Sequence, residues 1–254
     1  MDSIDTSEAG LPSQTVILPA RGWRIDPRHA LMASAVCWIG FAVVAIAVLG
    51  GRSGEFDAAG LRLWRTGIDL HPRGSPWLVE AVRDYTALGG VLLRNLFAIG
   101  GIVALLFLRL RREATLLALT IMSGWLINTA IKTLVGRPRP DIVSHLTEAG
   151  GLSFPSGHSF NSAVVYISIA LAFAALSPRQ SVRATIVFSA MALTLLIALS
   201  RVWLGVHYPS DALAGWLGGA GWAFTAAALL YRPAKAVADQ ASDKLETANP
   251  RRGD

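Results

Sequence analysis

Apolar residues along the chain are gathered into six long runs, and polar or charged residues separate them. The runs cover about 30–49, 91–108, 114–135, 159–176, 184–199 and 210–231. A helix needs about 20 apolar residues to cross the hydrocarbon core of a bilayer. The pattern therefore predicts an all-α fold, an integral membrane bundle of about six transmembrane helices. Gly215 and Gly219 in the last run have the spacing that permits close helix packing.

The segment between the first two runs, residues 52–90, is amphipathic rather than uniformly apolar. Pro72, Gly74 and Pro76 interrupt it, as expected between short elements. Amphipathic helices of this kind lie along a membrane surface. We predict short helices of that type here, with Trp64 and Trp77 at the interface.

Both ends of the chain are polar, and residues 1–28 contain no apolar core of the signal-peptide type. With six spans, one side of the membrane receives both ends and the turns at 109–112 and 177–183. That side carries most of the lysines and arginines, which places it in the cytoplasm. The predicted organisation is a flexible cytoplasmic tail at 1–28, a six-span domain at 29–232 and a second flexible cytoplasmic tail at 233–254.

Composition agrees with a membrane protein, because 53% of the 254 residues are hydrophobic and only 16% are charged. Soluble domains average about 25% charged residues. The net charge of +6 does not predict a nucleic-acid partner, because the basic residues stand at the ends of apolar runs. Cys37 is the only cysteine, which excludes an intramolecular disulfide and a cysteine metal cluster.

Three polar clusters stand at the ends of predicted spans, at 132–140, 155–158 and 200–211. Successive spans alternate in direction, so the ends of the third and fifth and the starts of the fourth and sixth emerge on one face. That face is opposite the cytoplasmic tails, which in a bacterial inner membrane is the periplasmic side. We therefore expect the three clusters to form one site.

The last cluster places His207 and Asp211 four residues apart, on one helix face if a helix begins near Pro209. An aspartate bound to one imidazole nitrogen leaves a lone pair on the other, which makes the histidine basic or nucleophilic. The alternative is a helix-capping acid beside an isolated interfacial histidine.

The middle cluster opens the fourth span. Ser156 and Gly157 would offer a hydroxyl and backbone N–H groups to an anion at the helix start. His158 would be placed to donate a proton to a group bonded to that anion. Ordinary helix capping by Ser156 is the alternative interpretation.

Three cations, Lys132, Arg139 and Arg201, stand at span ends, where contact with lipid head groups is an alternative use for each. Their convergence with two histidines and an anion-binding turn favours a phosphate pocket. Arg137 is an extra cation in the first cluster, for which solvation in the loop is favoured over contact with a second phosphate.

The clusters together resemble the signature of the type-2 phosphatidic acid phosphatase superfamily. This superfamily includes membrane lipid phosphatases and soluble vanadium haloperoxidases. Its signature is Lys-x6-Arg-Pro, Pro-Ser-Gly-His and Ser-Arg-x5-His-x3-Asp, which the chain matches at 132–140, 155–158 and 200–211. The motifs cover the second half of the core, and the first half matches only in kind.

The resemblance implies that His207 attacks phosphorus to form a phosphohistidine, that Asp211 orients it, and that His158 protonates the leaving oxygen and then activates water. It implies that the phosphate is bound by Lys132, Arg139, Ser156, Gly157 and Arg201. It also implies catalysis without a metal ion or another cofactor, because the cations neutralise the charge that Mg²⁺ neutralises in other phosphoryl-transfer enzymes.

The expected function is hydrolysis of a lipid phosphate or diphosphate that reaches the site from the bilayer. Undecaprenyl diphosphate is the first candidate substrate, and phosphatidylglycerophosphate, phosphatidate and lipid A phosphates are alternatives. A phosphotransferase would use the same phosphohistidine. A transporter or lipid-binding protein would not need His207 paired with Asp211, and a haloperoxidase is disfavoured because that branch is soluble. The sequence leaves the oligomeric state open.

Overall fold

The computed structural model describes residues 26–248, with side chains described for residues 26–229. Most of the predicted tail at 1–28 and the end of the tail at 233–254 lie outside the described residues, so their flexibility stays a prediction. The helices are α1 (Pro27–Leu49), α2 (Gly54–Arg62), α3 (Pro76–Ala87), α4 (Val91–Phe107), α5 (Arg111–Val135), α6 (Gly157–Ala174), α7 (Gln180–Trp203) and α8 (Pro209–Ala248). A short antiparallel pair, β1 (Arg65–Thr66) and β2 (His71–Pro72), lies between α2 and α3.

The predicted helical membrane bundle is confirmed. By length and composition, α1, α5, α6, α7 and the first part of α8 could each cross a membrane, and α3 with α4 forms a bent sixth candidate with an angle of 42°. Large apolar side chains on α1, α4, α5 and α7 are exposed, as expected where helices contact lipid. The chain is an integral membrane protein.

The amphipathic segment forms the predicted short helices α2 and α3, but the hairpin between them was not predicted. Strands of two residues are too short to produce an alternating pattern. The segment packs on the protein as well, because Leu61 is fully buried in a cluster with Val143, Ala198, Val202 and Ala212. Arg65 anchors β1 by donating a hydrogen bond of 2.9 Å to the carbonyl of Trp203 at the end of α7.

The centre of the bundle is α6, in which all but a few residues are buried. It packs against α7, α8, α5 and α4, while α1 packs along α8. The close approach of α6 and α8 depends on glycine, as predicted. A β-carbon on Gly215 would lie 2.7 Å from the carbonyl oxygen of Ser156, and one on Gly219 would overlap the carbonyl of Phe160. This contact holds the first turn of α6 against the first three turns of α8, next to the candidate site.

Candidate active site

The predicted site residues converge at one end of the bundle. Lys132 lies in the last turn of α5, Ser156 caps α6, Arg201 lies in the last turn of α7, and Asp211 lies in the first turn of α8. Gly136 ends α5 with a φ of +63°, which turns the chain into the loop that carries Arg139. His207 lies in the short connection between α7 and α8, and Gly157 and His158 open α6.

The side chain of His207 is held at both ring nitrogens. Its Nε2 lies 3.1 Å from Nη1 of Arg139, and an arginine can only donate, so Nε2 is the acceptor. The hydrogen of the neutral ring is therefore on Nδ1, which lies 3.3 Å from Oγ of Ser153 and 3.6 Å from Oδ2 of Asp211. Ser153 also donates a hydrogen bond to that carboxylate oxygen and so bridges the pair. Sequence reasoning missed Ser153, because it precedes the second motif and has no distinctive spacing.

The pKa of His207 is lowered to about 4, chiefly by burial and to a smaller extent by the neighbouring Arg139 and Arg201, while Asp211 opposes the shift. The imidazole is therefore neutral at neutral pH, as a nucleophile must be. The arrangement supplies a free lone pair on Nε2 as soon as another acceptor takes the hydrogen bond from Arg139.

This pKa makes the stability of the protein dependent on pH in the acid range. An unfolded histidine titrates near 6.5, so the unfolded chain binds more protons than the folded protein between about pH 6.5 and pH 4. Stability is therefore lost as the pH falls through this window, by on the order of 3 kcal/mol for this group. We expect the melting temperature in detergent to fall more steeply with acid in the wild type than in His207→Gln.

The matched control for this measurement is His71→Gln, because the side chain of His71 is 73% exposed. Its melting temperature should follow that of the wild type at every pH. Parallel curves for the wild type and His207→Gln would contradict a neutral, buried His207.

The start of α6 offers free backbone donors. Oγ of Ser156 accepts hydrogen bonds from the backbone N–H and the hydroxyl of Ser159, so the capping interpretation is correct. The hydroxyl hydrogen of Ser156 remains available, but its own N–H is bound to the carbonyl of Asp211. Within the described part of the chain, the N–H groups of Gly157 and His158 have no acceptor. They can bind an anion at the positive end of the helix dipole.

The three predicted cations surround this helix start. Nζ of Lys132 donates hydrogen bonds of 2.8 Å to the carbonyls of Leu152 and Pro155. Arg139 donates through Nη1 to the carbonyl of Val206 at 2.8 Å as well as to His207. Such bonds to carbonyl oxygens hold each cation in place without neutralising its charge.

Arg201 and His158 complete the cluster. Arg201 is almost completely buried, and its Nη1 donates a hydrogen bond to Oγ1 of Thr86 at 3.2 Å, while its Nε has no partner in the described structure. His158 lies within electrostatic range of Arg201 and His207. Thr86, on α3, was not among the predicted site residues, because it lies 115 positions from Arg201.

The interpretation of Arg137 as a solvated loop residue is wrong. Its Nη1 donates hydrogen bonds of 2.6 Å to Oδ1 of Asp211 and 2.8 Å to Oγ of Ser210, and its Nη2 donates one of 2.7 Å to Oδ2 of Asp57. Burial alone would lower the pKa of Arg137, but Asp211 and Asp57 raise it above its usual value. The guanidinium also lies 4.1 Å from the centre of the Tyr208 ring.

Asp57 was missed because it stands in an amphipathic segment, where an acidic residue is expected to face water. It is instead buried, and its carboxylate accepts hydrogen bonds from the backbone N–H and the hydroxyl of Ser210 at 2.9 and 2.8 Å. Asp57 thus caps α8 from α2 and, through Arg137, is linked to the carboxylate that faces His207. No three His, Cys, Asp or Glu residues in the described structure form a group that could hold a metal ion.

Comparison with known proteins shows the family of the chain. A profile of the PAP2 superfamily matches residues 113–235. Phosphatidylglycerophosphatase B of Bacillus subtilis is 36% identical over 143 residues, which cover 55% of this chain and 69% of that protein. The chain belongs to the PAP2 superfamily. The resemblance inferred from the three sequence motifs is therefore confirmed.

Other PAP2 proteins are similar over different shares of their length. A lipid A 1-phosphatase of Rhizobium etli is 34% identical over 130 residues, which are 46% of this chain and half of that protein. The solved structure of a transmembrane PAP2-type phosphatidylglycerolphosphate phosphatase from Bacillus subtilis superposes with a TM-score of 0.68 at 28% identity, covering 76% of this chain and 94% of that one. The match at 113–235 contains every predicted site residue but neither Asp57 nor Thr86.

Proposed function

We propose that this PAP2 protein is a lipid phosphatase that hydrolyses a phosphate monoester or diphosphate on a membrane lipid through a phosphohistidine. The observation that carries the proposal is the state of His207. Its Nδ1 faces Asp211 and its Nε2 lone pair is directed at Arg139, inside a cluster of cations. A neutral histidine with this orientation is suited to attack phosphorus rather than only to bind an anion.

In the first step, the phosphate binds to the N–H groups of Gly157 and His158 and to the cations Lys132, Arg139 and Arg201, with the hydroxyl of Ser156 beside them. Arg139 passes its Nη1 hydrogen bond from His207 to a non-bridging oxygen, which frees the Nε2 lone pair. Nε2 forms a bond to phosphorus as the bond to the leaving oxygen breaks. His158 gives that oxygen a proton, and Asp211 stabilises the positive charge on the ring.

In the second step, a water molecule attacks the phosphohistidine, and His158 takes a proton from the water. The N–P bond breaks, its electron pair returns to Nε2, and inorganic phosphate leaves. The equatorial oxygens carry the negative charge of the transition state, and three cations with two backbone donors are placed to neutralise it. We therefore expect turnover that does not require a divalent metal ion.

A lipid substrate fits a site at the end of a membrane bundle, because its head group can reach the cations while its chains stay in the bilayer. The relatives are named for phosphatidylglycerophosphate and lipid A. Undecaprenyl diphosphate is our first candidate for this chain, with phosphatidylglycerophosphate, phosphatidate and lipid A phosphates as alternatives. The distribution of basic residues supports an orientation with both termini in the cytoplasm and the site on the periplasmic face of a bacterial inner membrane.

The test is phosphate release by the purified protein in detergent with EDTA present. The substrates are undecaprenyl diphosphate, phosphatidylglycerophosphate and phosphatidate, and His207→Ala serves as the blank. We expect release from at least one lipid at a rate that EDTA does not change. Release that needs added Mg²⁺ would contradict the charge neutralisation by arginine and lysine. Consumption of substrate only when a second acceptor lipid is present would identify a phosphotransferase.

A further inference from the structure

A groove on the outside of the bundle lies between α4, α5 and α6. It encloses a cavity of about 400 Å³. Val91, Met122 and Trp125 form part of its apolar wall, and each is more than half exposed at the lipid-facing surface. The polar lining consists of Arg94, Asn95 and Asn161. A groove with this composition can hold a lipid chain along its wall and a polar group at its floor.

The charged residue in this lining is Arg94, in the first turn of α4. Arg94 is only 7% exposed, and its Nη1 donates a hydrogen bond of 3.2 Å to the carbonyl of Gly89. Within the described structure, no carboxylate pairs with it. A cation in a membrane-spanning segment is costly unless it faces a polar cavity or a counter-ion. Its guanidinium therefore has no counter-ion among the described residues, and a bound anion would supply one.

The groove lies close to the active site. Gly89, whose carbonyl accepts the hydrogen bond from Arg94, packs so closely that a β-carbon there would lie 3.2 Å from Cδ2 of His158. On α6, Nδ2 of Asn161 lies 3.9 Å from the position of a β-carbon on Gly157. Arg94 also lies within electrostatic range of His158, so the floor of the groove is near the start of α6.

We propose that Arg94, with Asn95 and Asn161, binds the second phosphate of a lipid that carries two, while His207 attacks the first. This inference rests on the proposed function. The scissile phosphate already has Lys132, Arg139 and Arg201, so a further buried arginine is in excess for a lipid with a single phosphate. The planar guanidinium can bind two phosphate oxygens at once. The lipid chain then lies along the apolar wall formed by α4 and α5.

The experiment compares kcat/KM for three lipids in the wild type and in Arg94→Gln. Phosphatidate carries one phosphate, while phosphatidylglycerophosphate and undecaprenyl diphosphate carry a second one at different distances from the first. We expect kcat/KM for one or both of the latter to fall about 10- to 100-fold more than that for phosphatidate. The lipid that is affected identifies which spacing the groove accepts. An equal loss for all three lipids, or no loss, would overturn the proposal and leave Arg94 as a support for Gly89.

The matched control is Arg62→Gln, which removes the same charge from an exposed position on α2. Arg62→Gln should leave the ratio of kcat/KM between the lipids unchanged. Arg94→Lys keeps the charge but not the fork of donors, and we expect a smaller shift of the ratio in the same direction. If Arg94→Gln does not fold, an unaltered ratio in Arg94→Lys would overturn the proposal.

A binding measurement separates this inference from the proposed reaction. In the His207→Ala background, Arg94→Gln should weaken the binding of a two-phosphate lipid at least 10-fold more than the binding of phosphatidate. This readout needs no turnover, so it decides the role of Arg94 even if the wild type releases phosphate from none of the lipids. If Arg94→Gln changed the dissociation constants of the two lipids by the same factor, the second phosphate subsite would be refuted.

Discussion

Replacing His207 with alanine is expected to lower turnover by about 10⁴-fold or more while binding of a lipid phosphate persists. The substitution removes the only atom proposed to bond to phosphorus. It leaves in place Lys132, Arg139 and Arg201, which carry the charges that attract the phosphate. The measurement is phosphate release by the purified protein, together with the dissociation constant of the same lipid in detergent. Turnover should be lost although the dissociation constant changes little.

The control for this variant is His71→Ala, in which an exposed imidazole of the same chemistry is removed. It should keep wild-type turnover. A single-turnover reaction with lipid labelled on the scissile phosphate, stopped in alkali, should label the wild type and not His207→Ala. Substantial phosphate release by His207→Ala, or a label that stays on the protein in its absence, would assign the nucleophile to another residue.

Replacing Arg137 with alanine is expected to destabilise the protein by about 3–5 kcal/mol, because two buried carboxylates lose their shared cation. The side chains of Asp57 and Asp211 are 1% and 0% exposed, and Arg137 bonds to both. Activity should fall as well, since Asp211 then keeps only the hydrogen bonds from Ser153 and from the backbone N–H of Tyr208 to hold it next to His207. Because Arg137 is proposed to act only through Asp211, kcat should fall more than KM rises. Melting temperature and phosphate-release kinetics would be measured on the same preparations.

Two further variants separate charge from geometry at this position. Arg137→Lys keeps the charge, but a single ammonium cannot span both carboxylates as the guanidinium fork does, so we expect an intermediate loss. Arg62→Ala removes an exposed arginine on the neighbouring α2; it is the matched control and should melt like the wild type.

A double-mutant cycle between Arg137→Ala and Asp57→Ala should give a coupling of about 0.5–3 kcal/mol. Additive effects would show that the ion pair contributes nothing of its own.

Asp57 and Arg137 also explain how a segment outside the three motifs takes part in the site. Asp57 lies on α2, and its carboxylate caps α8 at Ser210, next to Asp211. A shift of α2 therefore moves both the start of α8 and the cation that holds Asp211. The amphipathic segment is in this way part of the support of the site, in addition to any contact with the membrane surface.

The helices, and the convergence of the candidate site residues at one end of the bundle, could be predicted from the sequence for physical reasons. A bilayer requires an apolar run of a minimum length, so α1 and α4 through α8 are visible as runs and their order decides which ends share a face. The cations at the ends of α5 and α7 and the histidines at the start of α6 and before α8 are polar residues where a plain span needs none. The spacing of His207 and Asp211 indicated a pair but left helix capping by Asp211 as an alternative, and the structure places Nδ1 of His207 3.6 Å from Oδ2 of Asp211.

The contacts made by Arg137, Asp57, Ser153 and Arg94 could be decided only by the tertiary structure. Each of these residues has an ordinary local context, such as a loop, an amphipathic helix or the end of a span. The partners of Arg137, Asp57 and Ser153 are distant in the sequence, and the groove that Arg94 lines is formed by three helices. Arg137 and Asp57 are 80 positions apart, yet they form a buried ion pair. Burial is a property of the packed bundle rather than of a residue's neighbours in the chain. The sequence therefore determined the spans and which polar residues meet at one end of them, while the packing of α2, α4 and α6 decided which charges are paired and which face a groove.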